Sequence, residues 1–576
     1  MKTVASRRQD RVAAPANDLH AGPHHGTASA PAATSWAFAG LVLLVLGVVW
    51  FGMLGTRVLI HPDEGRYASL SLEMARSGDW VTPRLNGLPY FEKPALQYWI
   101  GALAFMALGV SEFSARLWPG VAGFLAVLTV GFTAGRLWGR ESGIRAAAIA
   151  ASMTWIELNS HFLTLDAGLT LFLTIALCAV LLANTGGPAP RARRRWIWLA
   201  WGAMAAAVLS KGLVGLVIPG AVLVLVSLWR RDASWWRGMH WISGLLIFLA
   251  IAAPWFVLVS LRNPGFAEFF FVHEHFARYL SDVHRREGAW WYYLPLLAAG
   301  MLPWTGALPW LFAGKETAGG AAAISPRHVL LTWSIFVLLF FSASGSKLPS
   351  YILPMFPALA LLIALLVRDA RPVTLQRHLL LPALLWACAA LASTQSARFA
   401  SITTPVEVLA PLASALRLGA VLVLASCAVA WWWLRGNGVT AAVLSLALGH
   451  AMAIALVLQA HDGYGQLKSA AALAAALPPS ITPATPVYAV RDYDQTLPFY
   501  LRRDVTLVDF EDEFALGEQR EPERWIKTLD EFVRRWQSAP QAAAYMGAAT
   551  WVELHQRGLP MRIVFQDPRR VVVVKP

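Results

Sequence analysis

The stretch His61–Pro94 reads HPDEGRYASLSLEMARSGDWVTPRLNGLPYFEKP, and it is too polar and too charged to sit in a bilayer, although apolar segments flank it on both sides. Asp63 and Glu64 form a pair of carboxylates near its start. Arg66 follows three residues after Asp63, a spacing that places the two side chains on one face of a helix. The stretch therefore predicts a charged surface that the rest of the chain holds at a membrane.

The same stretch has the signals of a short helix. Pro62 favours the start of a helix, and Gly78 favours its end. Between them Tyr67, Leu70 and Met74 recur at helical spacing. This pattern predicts an amphipathic helix that lies on the membrane surface rather than crossing it.

Composition places the chain among polytopic membrane proteins. Of its 576 residues, 57% are hydrophobic and only 14% are charged, and the mean hydropathy is +0.51. The net charge of +14 comes largely from arginines in short clusters between apolar runs, where membrane orientation explains them and nucleic-acid binding does not. The three cysteines all lie inside apolar runs, so the sequence predicts neither a disulfide framework nor redox chemistry.

The arginine clusters also predict a topology. If all of them are cytoplasmic, the spans alternate correctly only when the short segment 95–110 is a second juxtamembrane helix and not a span. This assignment gives about thirteen spans, with the N-terminus inside and the C-terminus outside. The expected spans are approximately 36–55, 117–135, 143–158, 166–183, 196–210, 213–228, 242–260, 291–313, 328–343, 351–367, 378–394, 411–434 and 438–459.

Three regions follow from these patterns. Residues 1–35 are predicted to be a disordered cytoplasmic tail, and residues 36–460 a transmembrane domain. In residues 461–576 charge rises and strand-like segments alternate with helical ones, which predicts a small α/β domain on the outer face. The expected fold class is an all-α polytopic membrane protein with a small C-terminal α/β domain.

Several ionisable residues converge on the outer side of this topology. Asp166 starts a span, Lys211 lies where one span ends and the next begins, and Lys347 and Tyr351 occupy an outer turn. Ionisable residues at membrane depth are costly and indicate a substrate path. Together with Arg66, the two lysines and the tyrosine hydroxyl are suited to hold a phosphate in a place of low dielectric constant.

The two aspartates require a different role, because carboxylates do not bind phosphate. Asp63 and Asp166 are suited to orient a sugar hydroxyl or amine, to stabilise an oxocarbenium-like transition state, or to accept a proton. Pairing with Lys93 or Arg66 would keep Asp63 ionised. These groups favour a reaction between phosphorylated lipids that already lie in the membrane.

Longer motifs carry a resemblance to a known family. The string DEGRYASLSLEMARSGDWVTPRLNGLPYFEKP resembles the first periplasmic loop of the aminoarabinose transferases that modify lipid A, which are GT-C membrane glycosyltransferases related to protein mannosyltransferases. The resemblance continues over residues 50–370 in FFFVHEHFARYL, HRREGAWWYYLP, PWTGALPW and SGSKLPSYILP. Gly65 departs from the family pattern, which often has a small polar residue at this position.

The resemblance implies an inverting glycosyltransferase of the bacterial inner membrane with its active site facing the periplasm. It would move 4-amino-4-deoxy-L-arabinose from undecaprenyl phosphate to a lipid A phosphate and so contribute to resistance to cationic antimicrobial peptides such as polymyxin. Matched by motif position, the essential acids would be Asp63 and Asp166, and Lys93 an active-site cation. The carrier phosphate would be held by Arg66, Lys211, Lys347 and Tyr351, and the lipid A phosphates by Arg262 and Arg278.

This chemistry requires no cofactor, but three residues form a candidate metal site. His273 and His275 stand two residues apart, and Glu92 is able to reach them, so the three side chains are candidate zinc ligands. The spacing differs from the i, i+4 pair of a helical zinc site, and histidines that face water are common in loops. A zinc ion here would be structural or adventitious.

Two alternatives stay open at this point. A related carrier-lipid glycosyltransferase that uses another sugar or a protein acceptor would show the same motifs. A lipid transporter or flippase would also have about thirteen spans with intramembrane charges, but those charges would lie near the midplane and often in repeats. Here the charges crowd one face, and no repeat of fixed period is evident.

Overall fold

A computed structural model describes residues 32–277, 288–313 and 325–576. The expected N-terminal tail lies almost entirely outside the described residues. The first helix begins at Ala32, and its side chains are described from residue 37 onward.

The N-terminal four-fifths of the chain is a helical bundle. Its first ten helices are α1 Ala32–Gly52, α2 Asp63–Ser77, α3 Leu96–Leu108, α4 Glu112–Trp138, α5 Arg140–Ala151, α6 Thr154–Ser160, α7 Asp166–Asn184, α8 Pro190–Lys211, α9 Val214–Arg230 and α10 Trp241–Arg262. The bundle continues with a π-helical segment Glu268–Ala277, then α11 Tyr293–Gly300, α12 Leu308–Ala313, α13 Pro326–Ala343, a 3-10 helix Pro349–Met355, α14 Phe356–Asp369, α15 Pro372–His378, α16 Leu380–Ser393, α17 Val406–Arg435 and α18 Val439–Ala460.

Many of these helices are suited to cross a membrane. Within the described ranges, eight are long and apolar enough to do so, or nine if one bent pair counts as a single span. The other expected spans fall on α1, α5 with α6, α8 and α9, which are shorter or carry more charge. The mostly helical, polytopic architecture expected from the sequence is confirmed, whereas the count of thirteen stays a prediction.

The expected span 291–313 is bent. The axes of α11 and the segment Thr305–Leu311 meet at 115°. Pro303 lies in the break, where its ring removes a backbone N–H donor and prevents a continuous helix. The predicted span 291–313 therefore corresponds to a bent pair of helices, and hydropathy alone did not indicate the break.

The predicted helix after Pro62 is present as α2, and Gly78 ends it in the left-handed conformation with φ of 68°. Its surroundings differ from the prediction. Glu64, Tyr67, Leu70 and other residues on all sides of α2 are buried, because α3 packs on one side and the C-terminal domain on another. Of the two predicted juxtamembrane helices, α3 is the one that presents an apolar surface, with Leu103, Met106 and Leu108 exposed.

Beyond α18, two short helices lead into the C-terminal domain: α19 Asp462–Leu467 and α20 Ala471–Ala476. A small hairpin in the first loop, β1 Arg84–Leu85 and β2 Leu88–Pro89, lies against this domain. The domain itself contains β3 Val487–Val490, α21 Leu497–Leu501, β4 Thr506–Val508, α22 Ala515–Arg520, α23 Leu529–Ser538, β5 Ala543–Gly547, α24 Ala548–Gln556, β6 Arg562–Gln566 and β7 Arg570–Val574.

The five strands of the domain form one mixed sheet in the order β4-β3-β5-β7-β6. β3 pairs in parallel with β4 and β5, and β7 pairs antiparallel with β5 and β6. The sequence predicts strand-like segments at 486–490, 505–510, 561–565 and 571–574, and these correspond to β3, β4, β6 and β7. The central strand β5 was missed, because its sequence AAYMG has few of the β-branched residues that favour a strand.

The C-terminal domain is joined to the bundle by specific polar contacts. Asn86 of the hairpin donates to the Val505 carbonyl at 2.6 Å and accepts from the Val505 N–H at 2.8 Å. The Tyr500 hydroxyl accepts from the Leu59 N–H at 2.8 Å and contacts the Glu112 carboxylate at 3.1 Å. These contacts place the start of α4, and with it the loops that carry Asp63 and Asp166, at the end of the bundle that the domain covers.

Candidate active site

The Asp166 carboxylate forms the first part of the site. Asp166 is the first residue of α7 and is only 4% exposed. It pairs with the Lys211 ammonium, which lies at the last position of α8, just before Gly212 ends that helix with φ of 80°. The two helix ends therefore bring an acid and a base together at the domain end of the bundle, as the sequence predicts.

Lys211 has a second neighbour in Tyr351. The ammonium lies 4.5 Å from the centroid of the Tyr351 ring, a distance at which a cation and an aromatic face attract each other. Tyr351 belongs to the 3-10 helix Pro349–Met355, whose preceding turn carries Lys347. The Lys347 ammonium is largely buried and donates to the Ser344 carbonyl at 2.8 Å. Asp166, Lys211, Tyr351 and the Lys347 turn thus belong to one region.

Asp63 and Arg66 form the second part of the site. On the first turn of α2, Arg66 donates to the Asp63 carboxylate at 2.7 Å. The same guanidinium also pairs with Glu513, which lies in the C-terminal domain and whose side chain is 5% exposed. Gln495 holds the other Glu513 oxygen at 2.8 Å. Asp63 is paired as the sequence predicts, but Arg66 faces two carboxylates instead of being left open for a phosphate.

The Arg66 guanidinium keeps its positive charge although it is buried. Burial alone would lower the pKa of its guanidinium, but its neighbours, which include Glu513 and Asp63, raise that pKa above the usual value. Burial raises the pKa of the Tyr67 hydroxyl on the same helix, so this group is neutral at ordinary pH. Asp63 keeps a side chain that is 38% exposed and is the member of this group most open to a substrate.

Several buried polar atoms beside Arg66 have no described hydrogen bond. Tyr98 stacks with Tyr67 at a centroid distance of 6.3 Å. In the part of the chain that the structure describes, the Tyr98 hydroxyl, the Tyr493 hydroxyl and the Gln495 Oε1 atom lack partners. Buried polar groups are usually satisfied by water or a ligand when the protein does not satisfy them. The region around Arg66 therefore offers hydrogen-bonding groups to a polar molecule.

Two further predicted site residues, Lys93 and Arg262, lie beside acids other than Asp63 and Asp166. The Lys93 ammonium donates to the Glu92 carbonyl at 2.7 Å and lies 3.8 Å from the Glu92 carboxylate. Arg262, at the end of α10, is 59% exposed and lies 3.3 Å from Asp79. Its exposure at the domain end is compatible with an acceptor contact, which stays a prediction.

Arg278 and the His273 and His275 side chains lie outside the described residues, so the acceptor and zinc predictions made for them are not tested. Only the π-helical backbone that carries the two histidines is described. Within the described parts of the chain, no group of three or more His, Cys, Asp or Glu side chains is arranged to hold a metal ion. The zinc site stays a prediction.

Sequence reasoning missed the role of Glu64. Its carboxylate is 2% exposed and pairs with Arg116 of α4, which is completely buried. Burial would raise the pKa of the Glu64 carboxyl, but the charge and hydrogen bonds of Arg116 outweigh burial and hold that pKa below its usual value. The available signal was Arg116, which stands directly before the predicted span 117–135, since a buried charge at the edge of an apolar run requires a partner.

Glu513 was missed for a different reason. It lies about 450 residues from Arg66 along the chain, within a domain whose short strands gave no sign of contact with the first loop. Gly65 of α2 also lies against the C-terminal domain, and a Cβ atom at this position would collide with the backbone of Gln495 and Thr496. The glycine that departs from the family pattern thus stands where the backbone of the C-terminal domain packs directly against α2.

Taken together, the site has two acid and base groups at one end of a helical bundle. A lysine ammonium beside a tyrosine ring is able to bind a phosphate, and two aspartates are able to orient or stabilise an electron-poor carbon or an amine. The charges lie at one end and not at mid-bundle, as a substrate in one membrane leaflet would require. This placement disfavours the transporter alternative.

Two family models match this chain. Residues 36–270 match the dolichyl-phosphate-mannose-protein mannosyltransferase family, and residues 473–575 match the aminoarabinose transferase C-terminal domain. A curated relative from Pseudomonas paraeruginosa, named undecaprenyl phosphate-alpha-4-amino-4-deoxy-L-arabinose arabinosyl transferase, is 35% identical over 56% of this chain. The matched part spans 58% of the length of that relative.

Solved structures extend the similarity to nearly the whole chain. The crystal structure of ArnT from Cupriavidus metallidurans bound to undecaprenyl phosphate superposes with a TM-score of 0.89 at 37% identity, covering 94% of this chain and 98% of that one. The apo form of the same protein gives a TM-score of 0.89 at 36% identity with the same coverage. The similarity thus includes both the bundle and the C-terminal domain, and the chain belongs to the aminoarabinose transferase family of GT-C membrane glycosyltransferases.

Proposed function

We propose that this protein transfers 4-amino-4-deoxy-L-arabinose from undecaprenyl phosphate to a phosphate of lipid A. The observation that carries the proposal is the group of Asp166, Lys211 and Tyr351 at the domain end of the bundle. This group sits in a fold shared over 98% of the length of a protein whose crystal structure contains undecaprenyl phosphate.

In the proposed reaction a lipid A phosphate oxygen attacks the anomeric carbon of the sugar. The bond between that carbon and the carrier phosphate oxygen breaks, its electron pair leaves with the carrier phosphate, and the configuration at the carbon inverts. Lys211, Lys347 and the Tyr351 hydroxyl stabilise the charge that grows on the leaving phosphate. No proton has to be removed from the acceptor, since a phosphate is already an anion near neutral pH.

The two aspartates then act on the sugar. The Asp63 carboxylate, held by Arg66, and the Asp166 carboxylate, held by Lys211, stabilise positive charge on the sugar as the carbon–oxygen bond breaks. Either carboxylate is also suited to bind the sugar amine, which is a cation when protonated. Asp63 is therefore an orienting and electrostatic group and not an obligatory base.

We place the reaction at the periplasmic face of the bacterial inner membrane. Starting from the domain end, α4 and α7 run to the ends that carry the arginine clusters, and α8 returns to Lys211. Clusters such as Arg193–Arg195 thus lie at the end opposite the site, and arginine-rich ends of a bundle face the cytoplasm. The site and the C-terminal domain then face the periplasm.

The test compares cells with and without the protein. Lipid A from a polymyxin-sensitive Gram-negative strain that makes the donor lipid but lacks its own transferase is analysed by mass spectrometry. Expression of the wild-type chain is expected to add one or two aminopentose units to lipid A and to raise the polymyxin concentration that the cells survive. Expression of Asp166→Asn is the matched negative control.

Two outcomes would contradict the proposal. Unchanged lipid A from cells with normal amounts of the wild-type protein would exclude lipid A as the acceptor. A different mass added to lipid A would show a related transferase with another donor sugar. In vitro, release of undecaprenyl phosphate without lipid A but with an added protein acceptor would favour the protein-modifying alternative.

A further inference from the structure

The Arg116 guanidinium has five N–H donors, and the structure gives each of them an acceptor. Its Nε atom donates to Glu64 Oε1 at 2.7 Å, and one terminal nitrogen donates to Glu64 Oε2 at 2.8 Å. The other donors reach the carbonyl oxygens of Leu54 at 3.2 Å, Arg57 at 2.6 Å and Val58 at 2.7 Å. Arg116 lies in the second turn of α4 and thereby fixes the segment between α1 and α2 to that helix.

The Glu64 carboxylate is used just as fully. Besides Arg116, its Oε2 accepts from the Ile60 N–H at 3.1 Å, and its Oε1 accepts from the Leu163 N–H at 2.9 Å. Leu163 is three residues before Asp166, and Glu64 is the neighbour of Asp63 in the chain. One carboxylate therefore joins the loop that carries the first acid to the loop that carries the second.

We propose that Glu64, together with Arg116, is a positioning residue that sets the separation of Asp63 and Asp166 during sugar transfer. The proposal rests on the transferase function given above. Glu64 does not act on the substrate itself, because it is 2% exposed and both of its oxygens are engaged. Of the adjacent carboxylates Asp63 and Glu64, the first serves the chemistry and the second holds the geometry.

A neighbouring contact strengthens the same connection. Arg57, which is 3% exposed, donates to the His161 carbonyl, two residues before Leu163. The backbone of the Asp63 loop is thus tied to the backbone of the Asp166 loop at two successive places. Buried ion pairs of this kind are often neutral for stability compared with apolar side chains, so a geometric role explains their presence better than a stabilising one.

The first variant is Glu64→Gln, assayed with purified protein, undecaprenyl phosphate-linked aminoarabinose and lipid A. The glutamine amide has one acceptor oxygen, and its NH2 group would face an N–H donor. At least one hydrogen bond to Arg116, Ile60 or Leu163 is therefore lost. Because a displacement of about 1 Å costs on the order of 100-fold in rate, kcat is expected to fall about 100-fold. The KM for the donor should change less than about threefold, since the phosphate-binding groups are untouched.

Matched variants separate positioning from stability. Ile197→Ala removes a completely buried side chain of α8, so it should lower the melting temperature while kcat stays at the wild-type value below that temperature. Arg116→Lys provides one ammonium in place of the planar fork and should reproduce the loss of kcat at Glu64→Gln. Combining the two changes should add little to either one, because both act on the same connection.

The proposal is overturned if Glu64→Gln keeps the wild-type kcat. It is also overturned if Ile197→Ala, for the same decrease in melting temperature, loses as much kcat as Glu64→Gln. If Glu64→Gln does not accumulate as folded protein, Glu64→Asp decides, because it keeps the charge but shortens the reach by one methylene. Reduced kcat with unchanged donor KM then supports positioning, and wild-type kcat rejects it. Absence of transfer by the wild-type protein would instead contradict the proposed function.

Discussion

Two buried acid and base pairs lie at the same end of the bundle and differ in how completely they are satisfied. In the pair of Glu64 and Arg116, every guanidinium donor has an acceptor, and both side chains are at most 2% exposed. In the pair of Asp166 and Lys211, the ammonium has three donors but one described hydrogen-bond partner, and its side chain is 15% exposed. The second pair keeps donors available, and the first does not.

This difference in hydrogen bonding indicates a structural role for the pair of Glu64 and Arg116 and a chemical role for the pair of Asp166 and Lys211. A saturated pair gains nothing from a new ligand and loses much when disturbed. An unsaturated ammonium beside an aromatic ring is able to take up a phosphate without breaking its existing contact. The two halves of the site also differ in their surroundings, because α2 packs against the C-terminal domain, whereas Asp166 and Lys211 lie on helices of the bundle.

The largest effects are expected at the two aspartates. Asp63→Asn and Asp166→Asn should each reduce transfer by at least about 1,000-fold, because each removes a charge placed to stabilise the transition state. Folding should be retained, since an amide keeps the shape of the carboxylate. Activity near wild type in a monodisperse, normally melting variant would refute the role of that aspartate.

Lys211 tests the open pair directly. Lys211→Met should lower kcat/KM by about 10- to 100-fold through a higher KM for the carrier-linked sugar, because a charged hydrogen bond to the phosphate is lost. Lys211→Arg keeps the charge and should recover part of that loss. If Lys211→Met changed kcat alone, with donor KM unaltered, the ammonium would not be a ground-state phosphate ligand.

Glu513 tests the support that the C-terminal domain gives to Asp63. Glu513→Gln weakens one of the two ion pairs of Arg66 and should reduce kcat/KM by about 10-fold. Glu511→Gln, two residues away and exposed to solvent, is the control and should leave activity unchanged. Equal activity in both variants would show that the domain does not support the acid.

Gly65 tests the same support through packing. Gly65→Ala forces a Cβ atom against the backbone of Gln495 and Thr496 and should destabilise the fold by about 1–3 kcal/mol, measured by thermal unfolding in detergent. Gly40→Ala, on α1 with no atom within 4 Å of the added group, should be neutral or slightly stabilising. A harmless Gly65→Ala would mean that the domain can move away from α2.

The smallest effect is a pH dependence of stability from the saturated pair. The folded-state pKa of Glu64 lies below its unfolded value of 4.5, so the pair contributes stability above that pH and loses it as pH falls through the folded pKa. The melting temperature of the wild type should therefore decrease below about pH 4.5 more steeply than that of Glu64→Gln. Parallel curves for the two proteins would contradict the lowered pKa.

Much of the fold could be predicted from sequence because hydropathy and arginine placement are strong signals in membrane proteins. The apolar runs located the helices, and alternating segments after residue 460 located four of the five strands. The bend at Pro303 and the central strand β5 were not predicted. The bend follows from Pro303, which hydropathy alone does not register, and β5 lacks the β-branched residues that favour a strand, so its position depends on its pairing with β3 and β7.

For the site, sequence was informative about residue types but not about their pairing. Motif similarity selected Asp63, Asp166 and Lys211, and the structure brings the last two into contact. It could not show that Arg66 is shared with Glu513 or that Glu64 reaches Leu163. Such pairings depend on the three-dimensional register of separate loops, and no spacing rule connects residues so distant in the chain.

The reciprocal hydrogen bonds between Asn86 and Val505 have a consequence for protein engineering. They make the first loop and the C-terminal domain a matched set, although nearly the whole bundle separates them in the sequence. A chimaera that exchanges only the C-terminal domain with that of a relative would join a hairpin and a domain that never evolved together. Exchanging residues 61–94 along with the domain would preserve the fit and keep Asp63 in register.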